Sequence, residues 1–323
     1  MEMLIAVVLF IVGLLCLIKG GDWFVDGAVA VARRFKLPEL LIGATVVSIG
    51  TTLPEVMVSA TSALTGVSEM AYGNAIGSII CNTALISAIT IAVKPGKVDK
   101  KSLRLSVIAF FAAAIFFALV AYLTGTFSRI TGIIFLIGFV VYILLAIRQM
   151  KKNPESVEEE EEEQKEMSIQ KAIVLLVLGA AVIAVGARLL VDNGTKIAEA
   201  MGVPKTVIAL TFVALGTSLP ELVTAITSLA KGHGSLSLGN VIGANLFNLV
   251  LVCGASITLK PFDVPAAATI FGQNASFVLD IPLMFTVMLL MTLPALIKGK
   301  LYRWQGIALL IIYFAFCGIQ FTL

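Results

Sequence analysis

Charged residues are scarce in this chain of 323 residues: Asp, Glu, Lys and Arg make up 13% of it, against about a quarter in soluble domains. Apolar residues make up 59%. The longest hydrophilic stretch, residues 148–171, is too short to bury a core of its own. This balance excludes a soluble globular domain and predicts an all-α protein in a lipid bilayer, with no nucleic-acid partner.

Histidine and cysteine are also scarce. His233 is the only histidine and lies in a loop, while Cys16, Cys81, Cys253 and Cys317 all lie in apolar stretches. The cysteines are therefore expected to be small buried hydrophobic residues, and neither disulfides nor a zinc, copper or iron site is indicated. No Gly-rich phosphate loop or nucleophile–histidine pair indicates an enzyme, and no cofactor is expected.

Ten membrane spans are predicted from apolar runs of about 20 residues or more. Lys and Arg concentrate in the loops that follow odd-numbered spans, which places those loops in the cytoplasm and both termini outside a cell membrane. The predicted spans cover residues 3–32, 38–65, 70–93, 104–124, 128–149, 168–199, 204–230, 236–259, 272–297 and 304–322.

The sequence repeats itself after 166 residues. Residues 50–55 read Gly-Thr-Thr-Leu-Pro-Glu, residues 216–221 read Gly-Thr-Ser-Leu-Pro-Glu, and Asn82 matches Asn248. Each copy has an odd number of spans, so the second copy is expected upside down relative to the first. Inverted repeats of this kind, with a site at the midplane between them, are typical of secondary transporters.

The repeats divide the chain into a first half, residues 1–149, and a second half, residues 168–323. An acidic cytoplasmic linker, residues 150–167, joins them and contains an unbroken run of glutamates at 158–163. We interpret the linker as a solvated segment in which like charges repel. A regulatory segment that attracts cytoplasmic Ca²⁺ is the alternative.

Polar residues recur on one helical face in spans two and seven. An acid inside a span is costly and is a functional-site hypothesis by default. Pro54 and Pro220 are expected to break their helices and to free backbone carbonyls one turn earlier. The residues of the two faces are Thr51, Glu55, Ser59 and Ser62, and Thr217, Glu221, Thr224 and Ser228.

Spans three and eight carry amides that face these acids. Asn74, Ser78 and Asn82 share one face of span three, and Asn82 is expected to meet Glu55 near the midplane. Span eight repeats the two asparagines but carries Ala244 in place of the serine. Oxygen-only ligands favour Ca²⁺ and Na⁺ over softer metals, and two glutamates neutralise one Ca²⁺. The alternative is a structural pair of acids that joins helices by hydrogen bonds.

Further acids within predicted spans include Asp26, Asp192 and Asp280. Asp26 and Asp192 are a repeated pair nearer span ends, and we expect a structural or ion-access role for them. Asp280 has no repeat counterpart. It is open whether Asp280 is a proton site, a hinge residue or a partner for another span.

Residues 43–82 and 209–248 resemble the two signature repeats of the Na⁺/Ca²⁺ exchanger family of the Ca²⁺/cation antiporter superfamily. The resemblance extends over essentially the whole ten-span chain and is to the prokaryotic type. It implies two inverted five-helix repeats around a central site, in which Glu55 and Glu221 bind both Ca²⁺ and Na⁺. It also implies exchange of several Na⁺ for each Ca²⁺ as spans one and six slide across a fixed core.

The same resemblance implies the remaining ligands. Thr51 and Thr217 would contribute to the Ca²⁺ site, largely through backbone oxygen. The residues implied to line the Na⁺ sites are Thr52, Ser218, Ser78, Asn82 and Asn248, with carbonyls from Ser48 and Ala214.

Three positions decide between branches of the superfamily. Ala244 replaces a serine that usually helps hold Na⁺, so Na⁺ affinity or stoichiometry is in question. Asn248 stands where K⁺-dependent relatives carry aspartate, which argues against K⁺ dependence. Gly77 stands where the proton-coupled branch usually carries glutamate.

These observations predict an antiporter that exports cytosolic Ca²⁺ using inward Na⁺, by alternating access and as a monomer. The first alternative is an H⁺/Ca²⁺ exchanger, in which the glutamates carry protons. A cation channel is a second alternative, although a shared acid pair between inverted repeats favours alternating access over a continuous pore. An intramembrane hydrolase with an acid pair is a third.

Overall fold

Apolar runs in a bilayer form helices, because every backbone N–H and C=O must find a partner within the chain. The computed structural model describes residues 2–66, 68–152, 167–201, 216–266 and 269–320. Its α-helices are α1 (Glu2–Arg34), α2 (Glu39–Ile42), α3 (Ser48–Thr65), α4 (Ser68–Cys81), α5 (Ala88–Val93), α6 (Lys100–Thr124), α7 (Arg129–Lys152), α8 (Ile169–Ala200), α9 (Leu219–Ala230), α10 (Gly234–Phe247), α11 (Gly254–Leu259), α12 (Ile281–Lys298) and α13 (Arg303–Gln320).

Four π-helical segments interrupt these helices in the described part of the chain. They are Gly43–Val47, Asn82–Ser87, Asn248–Cys253 and Ser276–Asp280. A π segment carries one extra residue per turn and is frequent at functional sites. Here the first three link an α-helix to its continuation within spans two, three and eight.

The ten-span membrane fold is confirmed. Nine helices in the described residues are long and apolar enough to cross a membrane, and α9 is a shorter apolar helix within predicted span seven. Residues 202–215 and the linker residues 153–166 lie outside the described part of the chain. Span nine begins at residue 276 rather than 272, because Thr269–Ile270 and Gln273–Asn274 form a small hairpin before it.

The sequence repeat reappears as matching structure. The π segments at 82–87 and 248–253 are 166 residues apart, as are α4 and α10. Gly66 and Gly232, which precede these two helices, both have a φ of 88°, a left-handed conformation that favours glycine. The two halves therefore place equivalent residues on equivalent elements.

Spans one and six pack against each other in opposite directions. Gly13 of α1 lies against Gly186 of α8, whereas Gly27 lies against Ala172 and Leu176. A Cβ added at Gly27 would come within 2.7 Å of the Ala172 oxygen. Small residues at such a seam let membrane helices approach backbone to backbone.

The main apolar core lies on the other side of the molecule, among spans three, four, five, eight and nine. Its largest buried side chains are aromatic, and Phe117 stacks on Phe127 with ring centroids 4.7 Å apart. Spans one and six contribute instead to a smaller cluster around Phe24 and Ile183. Most of their surface faces outward, toward the surrounding lipid.

The described loops that follow spans one, three, seven and nine lie on one side of the protein. The Nδ1 atom of His233 lies 2.7 Å from Glu39 Oε1, and Lys100 Nζ donates to the Ile297 carbonyl at 2.7 Å. We call this side the basic face, and its loops are 35–38, 94–99, 231–233 and 299–302. Its cytoplasmic orientation stays a prediction.

The expected break at Pro54 is wrong. Helix α3 continues through Pro54, and the irregular segment lies earlier, at Gly43–Val47. Proline lacks an N–H group and crowds the preceding turn, but neighbouring helices allow such a residue inside a membrane helix. In the second half, α9 begins at Leu219 with Pro220 in its first turn. A start at this position agrees with the expected break there.

Close helix packing predicts a strong response at Gly239. A Cβ at this position would meet the Leu40 carbonyl oxygen and lie 2.9 Å from the Leu40 carbonyl carbon. Because a backbone neighbour cannot rotate away, we expect Gly239→Ala to destabilise the protein by about 1–3 kcal/mol. The measurement is the thermal unfolding midpoint in detergent.

Gly138→Ala is the matched control, since its added Cβ would make only an ordinary contact at 3.8 Å with Val250. Equal unfolding midpoints for the two variants would contradict the close approach of spans two and eight.

Candidate ion site

Two carboxylates lie at the centre of the helix bundle. The side chains of Glu55 and Glu221 are both 0% exposed. None of their four carboxylate oxygens completes a hydrogen bond with the described residues. The two groups are close enough to interact electrostatically. An isolated ionised carboxylate is very costly in such a place, so the pair needs bound cations or protons.

Other buried oxygens and amides at this level also lack partners. The Thr52 and Ser218 hydroxyls and both polar side-chain atoms of Asn82 and Asn248 are buried without a hydrogen bond to the described residues. Native proteins leave few buried polar groups unsatisfied. Their concentration beside two buried acids indicates a ligand-binding set rather than helix packing alone.

The helix that carries each acid packs against a π segment of the other half. Helix α3, which carries Glu55, packs against the π segment 248–253, and α9, which carries Glu221, packs against the π segment 82–87. Each π segment begins at the predicted asparagine, Asn82 or Asn248. Each acid-bearing helix therefore contacts the asparagine-bearing segment of the other half.

Hydrogen bonds orient the backbone on one side of the acid pair. Ser48 Oγ donates to the Gly43 carbonyl at 2.7 Å and to the Asn240 carbonyl at 2.9 Å. Thr51 Oγ1 donates to Asn240 Oδ1 at 3.2 Å. These bonds join span two to span eight and leave the Asn240 Nδ2 group without a partner in the described part of the chain.

A related contact occurs at the repeat counterpart of Asn240. Asn74 Nδ2 donates to Ser59 Oγ at 2.8 Å and to the Glu55 carbonyl at 3.3 Å. The predicted polar faces of spans two and three thus meet side by side. Span seven carries Ala225 in place of Ser59, so the two halves are not identical here.

The structure locates ten of the eleven predicted site residues. Thr217 is partly exposed, and Ala214 lies outside the described residues. The residues that are buried are Glu55, Glu221, Thr51, Thr52, Ser218, Ser78, Asn82, Asn248 and Ser48.

A further polar contact was not predicted. Asn245 Nδ2 donates to Thr83 Oγ1 at 2.7 Å, and its Oδ1 atom is buried without a partner in the described residues. Asn245 aligns with Ile79 in the first half, so the repeat gave no signal for it. An amide inside an apolar span was the available clue.

The remaining intramembrane acids have partners. Asp280 Oδ1 accepts from Gln320 Nε2 at 3.3 Å, which favours the interpretation of Asp280 as a partner for another span. Asp26 lies 2.7 Å from Lys231 Nζ. No group of three or more His, Cys, Asp or Glu residues that could hold a metal occurs in the described part of the chain.

Comparison with known proteins agrees with this architecture. A family model described as "Sodium/calcium exchanger protein" matches residues 5–148 and 171–322. The chain belongs to the sodium/calcium exchanger family. It is therefore a multi-pass membrane antiporter of cations that include Ca²⁺.

Several relatives match along nearly their whole length. The putative antiporter CaxA of Alkalimonas amylolytica is 36% identical over 99% of both chains. The sodium/calcium exchanger MaX1 of Methanosarcina acetivorans is 29% identical over 97% of both. A solved structure of the sodium-calcium exchanger NCX_Mj, soaked with Na⁺ and Sr²⁺, matches with a TM-score of 0.81 and 32% identity, covering 97% of this chain and 98% of that one.

The acid pair predicts that each glutamate is indispensable. Glu55→Gln and Glu221→Gln keep the side-chain shape but remove one charge. We expect each variant to lower Ca²⁺ flux by about a hundredfold or more, because the remaining acid cannot neutralise a divalent cation alone. Radioactive Ca²⁺ uptake into liposomes measures this.

Asp263→Asn is the control, because this exposed acid accepts from Thr126 Oγ1 outside the site and an amide can keep that bond. Rapid uptake by either glutamine variant would show that the acid pair is structural.

Proposed function

We propose that the chain exchanges Na⁺ for Ca²⁺ and exports Ca²⁺ from the cytosol, with Glu55 and Glu221 shared by both ions. One observation carries the proposal: both carboxylates are fully buried, and their oxygens have no partner among the described residues. Ions that share two acids compete for them, so Ca²⁺ and Na⁺ occupy the site in turn. Because the two ions bind alternately, the flux of Ca²⁺ is coupled to the flux of Na⁺.

Neutral ligands around the acids favour Na⁺ over H⁺ as the coupling ion. A proton needs only a carboxylate oxygen, whereas a dehydrated metal ion needs several more oxygens. Such oxygens, without partners in the described residues, are present in Thr52, Ser218, Asn82 and Asn248. The printed names of MaX1 and NCX_Mj, both sodium/calcium exchangers, support the same choice.

Proton coupling is the second candidate, and a specific observation favours it. Ala244 is fully buried and supplies no oxygen where its repeat counterpart, Ser78, does. The second half thus has one fewer hydroxyl with which to bind Na⁺. Two buried acids that repel each other also bind protons readily.

Separate outward gradients of Na⁺ and of H⁺ distinguish Na⁺ coupling from proton coupling. Liposomes containing the purified chain are loaded with Na⁺ at matched pH, or with acid without Na⁺, and diluted into radioactive Ca²⁺. We expect uptake with the outward Na⁺ gradient only, and the Glu55→Gln protein serves as the control for leak. Uptake with the outward H⁺ gradient only would replace Na⁺ by H⁺ in the proposal. Uptake with neither gradient would indicate a channel.

Ala244→Ser tests the missing hydroxyl directly. If position 244 faces bound Na⁺, a hydroxyl there adds a ligand, and we expect the Na⁺ concentration for half-maximal Ca²⁺ exchange to fall by about tenfold. Ala225→Ser introduces the same group at another buried position of the second half and is the matched control. Equal shifts in both variants would show a general effect of added polarity.

A further inference from the structure

A cavity lies on the basic face, away from the acid pair. It has a volume of about 230 Å³ and lies between the loop after span three and the start of α10. Its walls include Lys94, Gly96, Lys97, Ser235 and Ser237. We propose that this cavity binds a phosphate-class anion, either the headgroup phosphate of an acidic lipid or a soluble phosphate.

The first turn of α10 supplies backbone donors. This helix is 14 residues long, and its N-terminal residues Gly234 and Ser235 line the cavity. The preceding residue, His233, makes no capping hydrogen bond to the helix, because its ring is paired with Glu39. Uncapped N–H groups and the positive end of the helix dipole attract anions.

A buried hydroxyl provides an independent sign of a ligand. Ser237 is 2% exposed and lines the cavity, yet its Oγ atom has no hydrogen-bond partner among the described residues. Because Ser237 lies in the cavity wall, a change of its side-chain rotamer would bring the hydroxyl to an anion oxygen, to which it can donate.

The charge of the cavity is positive. Lys94 and Lys97 are exposed at its rim, and neither side chain forms an ion pair with the described residues. Asp99, the nearest acid along the chain, is engaged in capping α6 through the N–H groups of Lys101 and Ser102. Two cations beside uncapped N–H groups match a phosphate group.

The inverted repeat provides an internal comparison. The residues Lys94-Pro95-Gly96-Lys97 correspond to Lys260-Pro261-Phe262-Asp263 on the opposite face. There, Phe262 packs on Phe127 with ring centroids 5.7 Å apart, where the basic face has Gly96 and Leu301. Ala71 stands in place of Ser237, and Asp263 in place of Lys97. At the other corner the open space and the hydroxyl are thus replaced and the charge is reduced, because Asp263 replaces Lys97 and only Lys94 keeps a lysine counterpart, Lys260.

The test titrates the full-length protein in a phosphate-free maltoside detergent at constant ionic strength. The two probes are inorganic phosphate and a short-chain phosphatidic acid, and binding is measured by calorimetry. We expect saturable binding, weakened about fivefold for each lysine removed in Lys94→Gln, Lys97→Gln and the double variant. Ser237→Ala is expected to weaken binding as well.

Gly96→Phe provides a test that changes no charge. The Gly96 φ is not positive, and a Cβ there meets no described heavy atom within 4 Å, so the ring should enter the cavity and abolish binding. Lys260→Gln removes the corresponding lysine of the other corner and should bind like the unmodified protein. Unfolding midpoints confirm that each variant is folded.

The outcomes separate the two sources and the proposal itself. Binding of both probes at similar affinity indicates a soluble phosphate, and much tighter binding of phosphatidic acid indicates a lipid headgroup. Saturable binding that survives Gly96→Phe and the double lysine variant would overturn the site, as would a failure of both probes to bind. None of these outcomes depends on which ion drives Ca²⁺ transport.

Discussion

The cost of burying two carboxylates at the centre of a membrane protein constrains everything around them. Glu55 and Glu221 are inaccessible to solvent and receive no hydrogen bond from the described residues. Predicted spans two, three and eight contain no lysine or arginine, and the one lysine of span seven, Lys205, lies at its start, 16 residues before Glu221. Compensation must therefore come from mobile cations. In the proposed function, this requirement prevents the protein from changing state with its site empty.

The inverted repeat explains how such a site is assembled from sequences that are individually unremarkable membrane helices. Each half contributes an acid on one helix and an asparagine at the start of a π segment, and the halves contact each other crosswise. The symmetry is incomplete at Ala244, Ala225 and Asn245. Such differences give the two halves different sets of polar groups even though equivalent elements recur in both.

Much of this architecture could be predicted because bilayer physics makes polar residues conspicuous. The acids, the asparagines and the 166-residue repeat could all be identified because they are polar residues inside apolar stretches. The π segments could not be predicted, since Asn82-Thr83-Ala84 contains no glycine or proline that would mark an irregular turn. Pro54 led to a wrong prediction for the opposite reason. Proline breaks helices by propensity, but α3 continues through it because packing against neighbouring helices stabilises α3. The cavity at Gly96 could not be predicted, because the loop after span three and the start of α10, which form it, are far apart along the chain.

The short strand pairs at the two corners have a consequence for biosynthesis. Thr126–Phe127 of the first half pair with Phe262–Asp263 of the second, and Lys97 bridges to Lys300. The Ser48 hydroxyl likewise has its hydrogen-bond acceptor, the Asn240 carbonyl, in the second half. While the ribosome is still making the second half, the first half spans the bilayer with its polar faces unsatisfied. The first half therefore cannot complete these contacts, or the site between the halves, until the second half is present.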